Sequence, residues 1–130
     1  KKGIVAHSDG DILIHAIADA LLGASGLGDI GHFFPDTDPK NKDIDSSIIL
    51  LKVLKEITNS SFQIENIDVT VVLEKPKLQR YIKPIKQSLS MMLGIDLNQV
   101  NIKATTSERM GFVGLEQGVA CYAVVLISKN

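Results

Sequence analysis

The chain has 130 residues, 45% of them hydrophobic, with 14 lysines and arginines against 15 aspartates and glutamates. That suits one compact domain able to bury a core, and a net charge of −1 argues against a general nucleic-acid binder held by phosphate neutralisation. A single cysteine, Cys121, excludes an intramolecular disulfide framework and fits a reducing compartment; no apolar run approaches the roughly 20 residues of a membrane span.

The balanced total conceals an uneven layout. Six aspartates and no lysine or arginine lie between Gly3 and Pro39, whereas Lys75, Lys77, Arg80, Lys83, Lys86 and Lys103 make a later region basic. An acidic half suits a cation and a basic half an anion, so a phosphate-bearing substrate could bridge them through a bound metal. Solvated surface charge would give the same counts.

Lys1-Lys2-Gly3 is neither a signal nor a transit peptide, so a soluble protein is expected. Gly3 to Ala6 is a short apolar stretch, after which His7-Ser8-Asp9-Gly10-Asp11 runs into a helix that Ser8 or Asp9 could cap. Asp11, His15 and Asp19 recur at i, i+4 and i+8, which puts them on one helical stripe beside the apolar Ile12, Leu13, Ile17, Leu21 and Leu22. The stripe could bind a metal. Equally, the acids could be solvated and His15 a satisfied core histidine.

Gly26 to Gly31 spells G-x-G-x-x-G, but a helix precedes it and the proline-punctuated His32 to Pro39 follows, which is the wrong order for dinucleotide binding. The glycines more plausibly let backbone approach a ligand. Asp45 and Ser46 can cap a second helix whose apolar face would be Ile48, Ile49, Leu51, Leu54 and Ile57. Ile64 to Leu73 is β-branched enough for a strand, and Glu74 to Lys77 forms a basic loop. A third helix is expected from Pro84 to Gly94, with Met91, Met92 and Leu93 in the core.

Val100 to Ala104 reads as a strand leading to Thr105-Thr106-Ser107-Glu108, whose hydroxyls could hold phosphate oxygens and whose carboxylate could hold a hard cation. An ST-turn with a helix cap is the bland alternative. Val119 to Ile127 supplies a final strand that holds Cys121 as inert packing. The order predicts an α+β two-layer sandwich with helices on one face of a mixed sheet. A last strand apolar on both faces suggests that a second subunit covers one of them.

Taken together, His7-Ser8-Asp9-Gly10-Asp11 with His15, Asp29-Ile30-Gly31, Phe34-Pro35-Asp36-Thr37-Asp38, Pro76-Lys77 and Lys103-Ala104-Thr105-Thr106-Ser107-Glu108 resemble the 2-C-methyl-D-erythritol 2,4-cyclodiphosphate synthases. Essentially the whole chain, residues 1–130, is covered as one such domain, in the family's order and spacing. The resemblance implies a homotrimer with sheets packed around the trimer axis and sites between subunits. Its reaction would be cyclisation of 4-diphosphocytidyl-2-C-methyl-D-erythritol 2-phosphate with release of CMP, in non-mevalonate isoprenoid synthesis. It also implies a cytoplasmic location in a bacterium, or a plastid in a eukaryote.

By the same resemblance, zinc is held by His15 and an Asp-x-His pair whose N-terminal strand lies upstream of Lys1, and magnesium or manganese by Glu108. His7 and Thr106 match transition-state-stabilising positions. His7, Ser8, Asp29, Ile30, Gly31, Phe34, Pro35, Asp36, Thr37 and Asp38 match the sugar-phosphate contacts. Leu73, Glu74, Lys75, Pro76, Lys77, Leu78 and Gln79, with Ala104, Thr105, Thr106, Ser107, Glu108 and Phe112, match the cytidine and phosphate contacts. Asp19 would be a partner to His15. Leu115 stands where the family carries arginine at the mouth of the central cavity, which bears on anion binding there and not on the reaction. Two other classes are compatible with the residues: a phosphohydrolase using Asp11, His15 and Asp19 to activate water, and a non-catalytic nucleotide-binding trimer.

Overall fold

The computed structural model describes residues 10–41, 44–72, 79–105 and 120–130. Helix α1 (Gly10–Ser25) is followed by the single turn α2 (Ile30–Phe33), then by α3 (Ser46–Asn59), strand β1 (Phe62–Val72), α4 (Gln79–Leu93), β2 (Val100–Thr105) and β3 (Ala120–Lys129). The sheet is mixed, in the order β2-β1-β3: β1 runs parallel to β2 and antiparallel to β3. This is the α+β arrangement expected. The apolar stretch at Gly3 to Ala6 and the proposed Ser8 or Asp9 cap lie outside the described residues.

Why the chain takes this form follows from its apolar periodicity. In α1, Leu13, Ile17, Ala18, Leu21 and Leu22 recur at the helical spacing and are all at most 1% exposed. In α3 the Asp45 carboxylate accepts from Ser47 N at 2.9 Å, as a capping residue should, but the buried stripe is Ile49, Leu50, Val53 and Ile57. Ile48 and Leu51, expected in the core, are exposed; four neighbouring aliphatic residues leave the face ambiguous in sequence, and Leu50 and Val53 complete the stripe that Ile49 and Ile57 define.

β1 has a bulge at Glu65, because Ile64 pairs with Ile127 and Asn66 with Leu126. The extra residue shifts the alternation, so Ile64 and then Ile67, Val69 and Val71 all face the core. With Val100 and Ile102 of β2 they meet α1, α3 and α4 in one apolar cluster, while α1 lies against β3 and α3, and α4 against β2.

Helix α4 starts five residues before the expected Pro84, which stands inside it. A proline there lacks the N–H that would reach back to Arg80. It is tolerated on an exposed turn, where water can meet the orphaned carbonyl. Leu93 is buried and Met92 half-buried as expected, but Met91 is 83% exposed, because its position falls on the outer side of the same helix.

Candidate active site

The stripe Asp11, His15 and Asp19 does run along α1, but its members have different occupations. Ser46 Oγ, buried at the first turn of α3, donates to Asp11 Oδ1 at 2.5 Å. Ile30 N donates to Asp19 Oδ1 at 3.0 Å. His15, exposed, makes no hydrogen bond or ion pair among the described residues. Asp19 therefore serves the turn that follows the helix and not, as expected, His15. Among the described residues this stripe does not gather into a group of three or more metal-ligating side chains, as the carboxylate cluster of a dinuclear phosphohydrolase would.

Beyond Ser25 the chain reverses sharply. Gly26 N donates to Gly23 O at 3.1 Å and Leu27 N to Leu22 O at 2.9 Å, with Gly26 at φ +72°, a Schellman ending that needs a left-handed residue. The first glycine of the G-x-G-x-x-G run thus has a structural duty as a helix stop, and Leu27 anchors the turn on the core. Asp29 then caps α2, its Oδ1 accepting from His32 N at 3.0 Å. Ile30, Phe33 and Phe34 rest on the core, and the His32 ring meets Phe33 edge-on at 5.0 Å.

The next turn is closed by Asp38 N donating to Pro35 O at 3.1 Å, Asn41 Nδ2 to Pro35 O at 2.7 Å and Lys40 N to Asp38 Oδ1 at 3.0 Å. It leaves Asp36 and Thr37 exposed. The structure so brings Asp29, Ile30, Gly31 and Phe34 to Asp38 into two consecutive turns, with His15 one helical turn before Asp19. An open groove beside them is lined by Gly26, Leu27, Gly28, Asp29 and His32.

The second half of the expected site lies elsewhere. Ala104 and Thr105 pair with Val71 and Val72 at the ends of two parallel strands, so the chain leaves β1 and β2 at the same sheet edge, and β3 enters there opposite Val72. Gln79 opens α4. Among the described residues no hydrogen bond or ion pair joins this edge to the Asp29 to Asp38 turns. His7, Ser8, Leu73, Glu74, Lys75, Pro76, Lys77, Leu78, Thr106, Ser107, Glu108, Phe112 and Leu115 lie outside the described residues.

Lys103, counted with the basic half, is committed to the sheet: its Nζ meets Asp68 Oδ2 at 3.0 Å, and Asn101 Nδ2 donates to Asp68 Oδ1 at 3.0 Å. Asn101, and then Lys103, hold the Asp68 carboxyl below the usual aspartate range. On the same open face Tyr122, Val124 and Leu126 stand 63%, 69% and 62% exposed, opposite Thr70, Asp68 and Asn66.

Sequence reasoning missed two members of this region. Ser46 lies 35 residues from Asp11, a separation that no local pattern signals. The turn α2, read as loop, does carry one: Asp29 three residues before His32 is an N-cap spacing.

The YgbB family model matches residues 1–128. The chain belongs to that family. It is 48% identical to the 2-C-methyl-D-erythritol 2,4-cyclodiphosphate synthase of Listeria monocytogenes serotype 4a over 99% of this chain and 82% of that protein. To the synthase of Haemophilus ducreyi it is also 48% identical, over 98% and 80%. The fold is similar to that of the Plasmodium falciparum IspF–CDP complex, with a TM-score of 0.82 and 35% identity over 95% of this chain and 74% of that one. It also matches the bifunctional IspDF of Campylobacter jejuni, with a TM-score of 0.89 and 39% identity over 95% of this chain and 34% of that longer one.

A metal is the remaining implied component. Among the described residues no group of three or more His, Cys, Asp or Glu side chains could hold one. His15 fits as a single ligand, since its imidazole is exposed and makes no hydrogen bond among the described residues, whereas Asp11 and Asp19 each already accept a protein hydrogen bond on Oδ1.

Proposed function

We propose that this chain converts 4-diphosphocytidyl-2-C-methyl-D-erythritol 2-phosphate to 2-C-methyl-D-erythritol 2,4-cyclodiphosphate and CMP, a step of non-mevalonate isoprenoid precursor synthesis. The observation that carries the reading is the match along nearly the whole chain to relatives named for this product, together with a fold shared with a CDP-bound relative.

The chemistry needs no nucleophile from the protein. An oxygen of the 2-phosphate forms a bond to the β-phosphorus, the bond from that phosphorus to the bridging oxygen breaks, and its electron pair leaves on CMP. No water is consumed. The protein has to fold the substrate back on itself, balance its charge and exclude solvent.

In this reading Asp29 to Gly31 and Phe34 to Asp38 hold the sugar-phosphate end with Ser8. Leu73 to Gln79 and Ala104 to Glu108 hold the cytidine and phosphates with Phe112, and His7 and Thr106 stabilise the charge that develops at phosphorus. His15 would contribute to a zinc site and Glu108 to a magnesium or manganese site; bound there, such ions neutralise phosphate charge and ease departure of CMP.

The exposed Tyr122, Val124 and Leu126 support a homotrimer closed over the open face of the sheet, with sites completed between subunits. Residues 1–130 act as one domain in this account. Among the described residues no helix is long and apolar enough to cross a membrane, and the bacterial relatives are in keeping with a cytoplasmic site of action.

Incubation of the protein with its proposed substrate and metal ions, read by mass spectrometry, tests this. Equal amounts of CMP and the cyclic diphosphate are expected. Linear products alone would refute it.

A further inference from the structure

We infer that Asp19 is a positioning residue: by holding Ile30 N, its carboxylate fixes the turn that presents Asp29, Ile30 and Gly31 to the substrate. The inference rests on the proposed synthase activity and extends it to a residue outside the binding and metal positions.

Helix α2 has four residues, too few to be stable alone, because helix nucleation costs more than one turn returns. Its first amides have no acceptors within the helix. Two carboxylates supply them, Asp29 from the turn itself to His32 N and Asp19 from α1 to Ile30 N, each at 3.0 Å. Among the described residues only the bond from Asp19 comes from outside the turn, across a separation of 11 residues.

The place from which Asp19 acts is rigid. Ile17, Ala18, Leu21 and Leu22, its neighbours on α1, are 0% exposed, so the helix cannot shift without disturbing the core. Asp19 itself is exposed and is not part of the buried core, which separates its role from packing. Leu27, on the core, and the Asp19 bond together hold both ends of the Leu27 to Ile30 stretch. His15 projects from the same helix one turn earlier, so the bond also sets the sugar-contacting turn relative to the proposed metal ligand.

The test compares Asp19→Ala, Asp19→Ser and Asp19→Asn with the unaltered protein. Losing one charge-assisted bond to a backbone amide is expected to raise KM about three- to tenfold in Asp19→Ala and Asp19→Ser, with kcat within about twofold. Asp19→Asn keeps an acceptor oxygen and should restore KM. Hydrogen exchange at the Ile30 amide should quicken in Ala and Ser and remain slow in Asn. Unchanged KM and Ile30 exchange in both truncations would overturn the inference. So would Asp19→Asn being as damaging as Asp19→Ala, which would assign the role to the negative charge itself. If the unaltered protein forms no cyclic product the synthase reading fails and the inference with it, a result distinct from altered kinetics in the variants.

Discussion

The two faces of the sheet are built from strands of similar hydropathy and meet opposite fates. On one face Ile64, Ile67, Val69, Val71, Val100 and Ile102 are at most 7% exposed beneath the helices. On the other, Tyr122, Val124 and Leu126 are more than 60% exposed beside Asp68, whose charge is already paired with Lys103. Apolarity therefore marks a surface that must be covered without saying by what. Helices of the same chain satisfy the first face; in the proposed homotrimer another copy would cover the second, whose charges are already paired.

The largest effect should come from the covered face. Ile67→Ala removes a fully buried β1 side chain from the core cluster and should cost about 2–5 kcal/mol of stability, measured by denaturant unfolding. A cost below about 1 kcal/mol would mean that the helices do not seal this face.

Next comes the open face, where Val124→Asp should leave the far-UV circular dichroism unchanged. The variant should sediment as a monomer and lose at least about tenfold in activity, because a carboxylate is costly to bury against apolar residues. Trimeric, fully active Val124→Asp protein would refute the covering role of that face.

How much of this was legible beforehand differs by region. The α1 core stripe, the three strands and the α+β class followed from periodicity, since one burial surface acts on each element. The face of α3 did not, because Ile48 to Leu51 are four aliphatic residues in a row and only packing chooses among them. Pro84 misled because proline marks the first turn of a helix by preference and not by necessity. In the site, the Asp29 to Asp38 turns were found through their likeness to a family, whereas the bonds from Asp11 to Ser46 and from Asp19 to Ile30 join distant segments and needed coordinates.

The smallest effect concerns Asp68. Its folded-state pKa lies below the unfolded value, so its contribution is fully present above about pH 4 and is lost as pH falls through the lower folded value. The group is largely hydrated, so Lys103→Met should cost less than about 1 kcal/mol at pH 7. Stability traceable to Asp68 should be flat from pH 5 to 8. A slope in that window that disappears in Asp68→Asn would contradict the assignment.

The central claim is that the substrate's own phosphate, and not water, displaces CMP from phosphorus. Turnover in oxygen-18 water, with both products weighed by mass spectrometry, addresses it directly. Intramolecular attack predicts CMP and cyclic diphosphate free of solvent oxygen. Heavy oxygen in either product would show hydrolysis and contradict the account.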